Sequence, residues 1–584
     1  MDSFVRRSSR HPKAAVHPRT RAEASVVSAR KARTSPSGPP DASSAVHADD
    51  SPLVPKPCPE VVIGLVGPVG IDLDPIIEAL MRRLEAVSYR PKAVRLSAQI
   101  EKFFGVDYAD LPEDKRIDKL MDAGTRLREK SERGEAVALL AIAEIRRVRL
   151  QELNGSTENN AYILRSLKHP DEVETLRAVY GKGFFLISAY APRDARVSAM
   201  AEKVTRSQHG NPNHSREKAE AIVERDEQEE NKDLGQDVKD AFPLADLFID
   251  ARDKKSFEPE IRRFIELIFG NLFHTPTRDE HGMYHARSAA LRSADLGRQV
   301  GAAVTAASGE LLALGCNDVP KAGGDLYWPG DDGDARDFQR GFDPIVEERK
   351  QILSELLARL QKADVLAKPY SEVKAIVPLV TALTTGDKRE FLKGARVMNL
   401  LEFGRCVHAE MAAISSAARL GVPIKGATLY TTTFPCHMCA RHIVSSGIAR
   451  VVYVEPYPKS RARHLHGDAI QVDAQKPVPG LVIFEPFVGI APRQYQDIFD
   501  ARDRRKDSTG KIFNWRAKGK HPEPRFTRFR NTYREIEDAI VAIDVPLLAQ
   551  KLGVDLEHTA AERNDHEEAN VTRRTGKGRA KGAK

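Results

Sequence analysis

Apolar and polar positions along the chain fall into two successive rhythms. Residues 60–66 form a short β-branched apolar run, and 74–84 then repeat apolar residues at helical spacing, so a strand, a tight turn and a helix are expected. Further strands are expected at 161–167, 183–189 and 245–249, alternating with helical stretches at 113–153, 170–180, 192–204 and 215–231. Such alternation predicts a mostly parallel sheet covered by helices. A second series starts near residue 273. It comprises a helix around 281–300, strands at 301–305 and 311–316, a helix opening near His408, strand 428–433, helix 436–446, and strands at 450–454 and 481–484. The fold class expected is therefore α/β throughout, with a mainly helical insertion at 344–400.

Outside these rhythms the chain offers little to pack. Residues 35–59 are dense in Pro, Ser, Ala and Asp, a composition that cannot offset the entropy of ordering. A disordered arm and linker is expected over 1–58, a first domain over 59–272, a second over 273–500, a C-terminal extension over 501–558 and a disordered tail over 559–584. A chain of 584 residues exceeds what one core usually organises. No apolar run approaches the roughly 18 residues needed to span a bilayer, so no membrane partner is expected.

The net charge of +8 is unevenly spread, which alters its meaning. Residues 1–33 carry nine Lys/Arg against two acids, 573–584 carry six against none, and 502–534 carry twelve against three. The remainder is acidic. The 502–534 stretch interleaves its cations with Phe513, Trp515, Phe526, Phe529 and Tyr533, a composition able to stack bases and contact phosphates of an RNA partner; the competing expectation is an arm that wraps the acidic body with its aromatics buried. Five cysteines, at 58, 316, 406, 436 and 439, are too few for a disulfide scaffold and point to a reducing, cytoplasmic setting.

Two of those cysteines carry the strongest chemical signal. His408-Ala409-Glu410 is followed 28 residues after the histidine by Pro435-Cys436-His437-Met438-Cys439. Two cysteines three apart at a helix start point to one side, and proline suits the first turn. With the imidazole of His408 they make three ligands for zinc, leaving a fourth position for an activated water. Glu410, two residues on, is the candidate proton carrier. A closed structural site, with Cys406, His437 or His442 as fourth ligand, is the alternative.

On these motifs residues 281–460 resemble the cytidine and deoxycytidylate deaminase superfamily. The resemblance implies a three-layer α/β/α domain, a zinc ion as cofactor and hydrolytic loss of ammonia from cytosine. It also makes Asn317, in Gly315-Cys316-Asn317, a sugar-binding candidate. Arg298-Gln299-Val300-Gly301-Ala302, the 327–332 segment Tyr-Trp-Pro-Gly-Asp-Asp, and Tyr453 with Tyr457 resemble the nucleotide branch. Arg298, Lys321, Lys459 and Arg461 flank these elements, and Arg298 and Lys459 are the candidate phosphate contacts. Residues 344–400 contain no His or Cys, so one zinc per chain is expected. A polynucleotide cytosine deaminase and a non-catalytic nucleotide-sensing zinc module remain the competing functions.

The first domain opens on a glycine-rich turn, with Gly64, Gly67 and Gly70 between strand and helix, the arrangement that offers backbone N–H groups to phosphate. Where a working phosphate loop continues Gly-Lys-Ser/Thr, this chain has Asp72, Leu73 and Asp74. Phosphoryl transfer is not expected. A degenerate phosphate-loop kinase-like domain fused to a deoxycytidylate-type deaminase resembles the bacterial anti-phage dCTP deaminases. Segments 165–173, 235–246 and 487–493 add to that resemblance. It implies free deoxycytidine nucleotides (dCTP, dCMP) as substrates, depletion of dCTP during infection, and a regulatory RNA in some systems; relatives of the deaminase fold commonly form homo-oligomers.

Overall fold

A computed structural model describes residues 60–208, 212–229, 234–367, 370–372, 376–392, 394–457, 460–474, 476–500, 505–506, 510–512, 514 and 532–554. The arm over 1–58, the tail over 559–584, Lys459 and most of 502–531 lie outside the described residues.

Among the described residues twelve strands build two six-stranded sheets. The first has the order β12-β5-β4-β1-β3-β2. It uses β1 (Val61–Val66), β2 (Arg90–Arg95), β3 (Asn160–Leu167), β4 (Phe184–Tyr190) and β5 (Leu247–Asp250), all parallel, while the two-residue β12 (Gly489–Ile490) adds antiparallel to β5. β1 and β4 are apolar nearly end to end because helices cover both faces of the sheet. β2, Arg-Pro-Lys-Ala-Val-Arg, was not expected from its pattern: it is an edge strand whose charges face outward, and an edge tolerates Pro91. The helical stretch expected over 113–153 is two helices, Glu113–Ser131 and Ala136–Gln151. They part at Glu132, whose φ of 58° closes the first one.

The second sheet has the order β10-β11-β9-β8-β6-β7. β8 (Thr428–Thr433), β9 (Arg450–Glu455), β11 (Val482–Pro486) and β10 (Ile470–Val472) are parallel; β6 (Gly301–Thr305) runs antiparallel to both β8 and β7 (Leu311–Cys316). The helix expected over 281–300 runs instead from Arg278 to Ala290. It starts on a reciprocal cap between Thr277 and Glu280. It stops early because β6 crosses close beneath it: a Cβ at Gly301 would lie 2.0 Å from the carbonyl oxygen of Ala286.

One apolar core runs between the sheets. Phe248 of β5 meets Phe487 edge-on, and Met283, Ala286, Ala303 and Tyr430 continue the same cluster. Asp246, fully buried, holds the junction. It accepts from Leu186 N at 2.7 Å and from Arg493 Nη1 at 2.7 Å, which brings together two segments singled out above. The chain then returns to the first sheet. In the Thr532–Ala539 helix Glu537 is fully buried against Arg149, which also pairs with Glu60 at 2.7 Å. Tyr533 donates its hydroxyl to Glu60 at 3.0 Å, and its ring lies 5.8 Å from that of Tyr180. Tyr533 is thus packed rather than presented to a nucleic acid; Phe513, Trp515, Phe526 and Phe529 lie outside the described residues.

A buried guanidinium robbed of one of its two carboxylates is costly, by roughly 3 kcal/mol. Glu537→Ala should therefore lower the unfolding free energy by about that amount in a denaturant titration, whereas Asp538→Ala, one residue along on the exposed pair with Arg146, should cost under about 1 kcal/mol.

Candidate active site

Two helices begin at the same edge of the second sheet. The Ala409–Leu420 helix is preceded by His408 at its N-cap, and the His437–Ser445 helix by Cys436, whose sulfur accepts from Cys439 N at 3.4 Å. Both N-termini carry partial positive charge that favours anionic sulfur and carboxylate nearby. The close fit of the first helix on β7 depends on Gly315. A Cβ there would stand 2.3 Å from the Ala409 carbonyl oxygen and 2.4 Å from Ala413 N, both backbone atoms that cannot swing aside.

His408 Nδ1 lies 3.3 Å from Cys436 Sγ and 3.4 Å from Cys439 Sγ. Among the described residues these three form the one His/Cys/Asp/Glu group able to hold a metal; Cys406, His437 and His442 do not join it. Zinc bonds of about 2.3 Å to sulfur and 2.0–2.1 Å to nitrogen at tetrahedral angles would set N and S about 3.5 Å apart, close to what is found. Proton sharing within the group leads to the same ion. Bonds from Cys439 and His408 push Cys436 down to about 4, and the bond to Cys436 raises His408 to about 9. Cys439, hydrogen-bonded to that thiolate and buried, is driven well upward. Two thiolates cannot share such a buried place unless a cation stands between them. The residues therefore fit zinc.

Glu410 sits in the first turn of its helix, buried, with Oε2 accepting from Cys439 Sγ at 3.4 Å. Burial, with the Cys436 charge behind it, pushes its carboxyl up to about 6. It faces a cavity of about 280 Å³ also lined by His408, Cys436, Asn317, Arg298 and Tyr457.

Other expected contacts are distributed unevenly. Asn317 lines the cavity, but its amide also clamps the backbone: Oδ1 accepts from Val300 N and Nδ2 donates to Arg298 O, both at 2.7 Å. Arg298 stands at the rim, half exposed, paired with Glu455 at 3.1 Å. Lys321 is paired with Asp331 at 2.7 Å, away from the cavity lining. Tyr453 lies beneath the site, edge-on to Phe434 at 4.8 Å, and it is Phe434 that lines the cavity. Gly64 belongs to β1 and not to the glycine turn, because a Cβ there would strike Leu167 Cδ1 at 2.6 Å. Sequence reasoning missed Arg405, a lining cation bonded to Asp337. Its signal was its place three residues before His408, in the segment that leads into the Ala409–Leu420 helix.

Gly315→Val should fold poorly around this site, with a thermal midpoint lower by several degrees and zinc content falling in parallel; an unchanged midpoint would show that the helix can yield.

Known proteins share this region. Residues 276–455 match the family model described as the cytidine and deoxycytidylate deaminase zinc-binding region. A deoxycytidylate deaminase of Enterobacteria phage T2 is 51% identical over 55 residues, 9% of this chain and 29% of that protein. A probable deoxycytidylate deaminase of Drosophila melanogaster is 24% identical over 205 residues, 34% of this chain and 72% of that protein. Among solved structures, the dCMP deaminase of cyanophage S-TIM5 is similar at 16% identity over 36% of this chain and 99% of its own, with a TM-score of 0.19. The chain spans less than a third of the length of the phage T2 protein that it matches. Its segment 276–455, holding His408, Glu410, Cys436 and Cys439, is thus where the chain is similar to the zinc-binding region of cytidine and deoxycytidylate deaminases.

Proposed function

We propose that the chain deaminates free deoxycytidine nucleotides, dCMP or dCTP, to the uracil nucleotide and ammonia, and that this turnover lowers dCTP during phage infection. The observation that carries the reading is the buried Glu410 carboxylate beside the His408, Cys436 and Cys439 group, facing a cavity of single-molecule size.

His408, Cys436 and Cys439 would hold the zinc, which when bound supplies Lewis acidity that makes water nucleophilic near neutral pH. Glu410 does the proton work. Its carboxylate accepts a proton from the attacking water, delivers it to N3 of the ring as C4 becomes tetrahedral, and passes the second water proton to the amine that leaves as ammonia. A carboxyl held near 6 by burial can both accept and return a proton around neutrality. Asn317, already fixed by two backbone bonds, offers a rigid edge to the sugar. Arg298 and Arg405 carry the positive charge nearest the cavity, and Phe434 with Tyr457 supplies a flat wall for the base.

The parallel order 2-3-1-4-5 of the first sheet, with the glycine turn following central β1, supports reading that domain as a degenerate relative of phosphate-loop kinases. The fusion of such a domain to this site is what favours the anti-phage role.

The test offers zinc-loaded protein dCMP, dCTP, deoxycytidine, CTP and single-stranded DNA and follows ammonia. Turnover of the deoxynucleotides, reduced about 10²–10⁴-fold in Glu410→Gln with zinc content unchanged, is expected. Deamination of DNA alone would overturn the reading, and so would silence toward every substrate at full zinc occupancy.

A further inference from the structure

Outside the carboxyl ends of β1, β2 and β3 lies a second cavity, of about 460 Å³, which the deamination reaction does not use. We propose that it binds a phosphorylated nucleoside, with the phosphate at a cationic mouth beside the glycine turn and the base edge against Arg128 and Gln236.

The position follows from the sheet. From β1 the chain crosses to β2 on one side, returns through β3, and continues to β4 on the other, so the crevice beyond β1 is where strand order reverses and open α/β sheets take their ligands. The turn from Gly67 to Ile71 forms one wall, with Gly70 at φ +97°, and a Cβ at Gly70 would strike the backbone of Arg196 at 2.6 Å. On the facing strand the register between β1 and β3 slips after Gly64. Ser166 takes up the slip at φ +76°, a conformation that costs a non-glycine residue energy. The slip places both Arg165 and Lys168 on the cavity.

The charge suits an anion. Arg95, Arg116, Arg128, Arg165, Lys168 and Lys203 line the cavity against three carboxylates, those of Asp74, Glu113 and Glu172. The two acids that replace the phosphate-loop residues do not stand free to repel it. Asp72 is paired with Lys203 at 3.4 Å, and Asp74 lies between Arg165 and Arg95, at 2.5 and 3.6 Å. Lys168 donates to the Gly67 carbonyl at 3.0 Å and pairs at 3.5 Å with buried Asp226, which accepts from Val69 N at 2.8 Å, so an ammonium balanced by one carboxylate lies at the turn although the lysine of the loop itself is missing.

The observation that points to more than an anion lies deeper. Arg128 is only 2% exposed; its Nε donates to Leu234 O at 3.1 Å and its Nη1 to Glu172 at 3.2 Å, yet its Nη2 has no partner among the described residues. Gln236, 5% exposed and on the same cavity, has a side-chain oxygen without a partner among the described residues. Leaving a buried donor and a buried acceptor unmade costs about 1–3 kcal/mol each, so the fold is set to receive a group offering both an acceptor and a donor. Ile100, Ile117, Leu120, Met121 and Val137 add apolar lining. A flat, hydrogen-bonding ring joined to a phosphate matches all three features, and the volume suits one such molecule.

The test uses the full chain in a Glu410→Ala background, so that nothing is consumed. Calorimetric titration compares dAMP, dGMP, dTMP, dCTP, ATP and GTP with inorganic phosphate. At least one nucleotide should bind at one site per chain, about tenfold or more tighter than phosphate, and lose about tenfold or more in both Gln236→Leu and Lys203→Ala while ignoring Arg298→Ala at the catalytic rim. Circular-dichroism melts accompany each variant; should Gln236→Leu fail to fold, Lys203→Ala, at a partly exposed position, decides alone. No binding across the panel, binding that phosphate matches, or binding that follows Arg298→Ala and ignores Lys203→Ala would overturn the proposal. Because the outcome is read as binding outside the catalytic cavity, it stands or falls separately from deamination.

Discussion

The structure turns on the meeting of two helix N-termini over one sheet edge. His408 and Cys436 are the caps of those helices, and Cys439 lies one turn inside the second. Separations of 28 and 31 residues in sequence become 3.3 and 3.4 Å in space because the Ala409–Leu420 helix packs across β7 while the His437–Ser445 helix follows directly from β8. That closeness would be repulsive for two buried thiolates without a cation between them. The fold therefore does part of the metal's selection: it supplies two soft anions, one imidazole and two helix dipoles, and places a carboxylate beside them that is not needed as a ligand.

Everything around this point keeps the two helices from drifting. Gly315 lets β7 approach the Ala409–Leu420 helix to backbone contact, and Tyr453 supports Phe434 from below while donating to Asp473 at 2.8 Å. The second sheet is in turn tied to the first. β12 pairs with β5, Arg493 pairs with buried Asp246, and the Thr532–Ala539 helix closes over Arg149 and Glu60. After β11 of the second sheet the chain adds β12 to the first and later packs the Thr532–Ala539 helix against it, so backbone as well as side chains joins the two sheets.

The candidate zinc group was legible in the sequence because its chemistry is local: HAE and PCxxC each lie within one helical turn, and only the distance between them had to be supplied by the fold. Long apolar strands such as β1, β3 and β4 were legible for the same reason. What was not legible depended on pairing across distance. β2 reads as a charged loop until it is seen at a sheet edge. The helix from Arg278 ends at Ala290, ten residues before its pattern suggested, because Gly301 passes beneath it. Gly64 looked like part of a phosphate turn and is instead packed under Leu167. Tyr533 looked like a base-stacking ring, but with Glu537 it completes a buried carboxylate network whose remaining members, Glu60, Arg149 and Tyr180, are some 350 to 470 residues away in sequence. The unpaired groups of Arg128 and Gln236 carry no sequence signature at all, since an unsatisfied atom exists only once its surroundings are fixed.

The central claim is a zinc centre with three protein ligands and one position left for chemistry. X-ray absorption at the zinc edge on the full chain tests it most directly. One zinc per chain, with two sulfur atoms near 2.3 Å and two lighter neighbours near 2.0–2.1 Å of which a single one scatters as imidazole, is predicted, and Cys406→Ala should leave the spectrum unchanged. Three sulfurs, two imidazoles, or no zinc at stoichiometric level would contradict it.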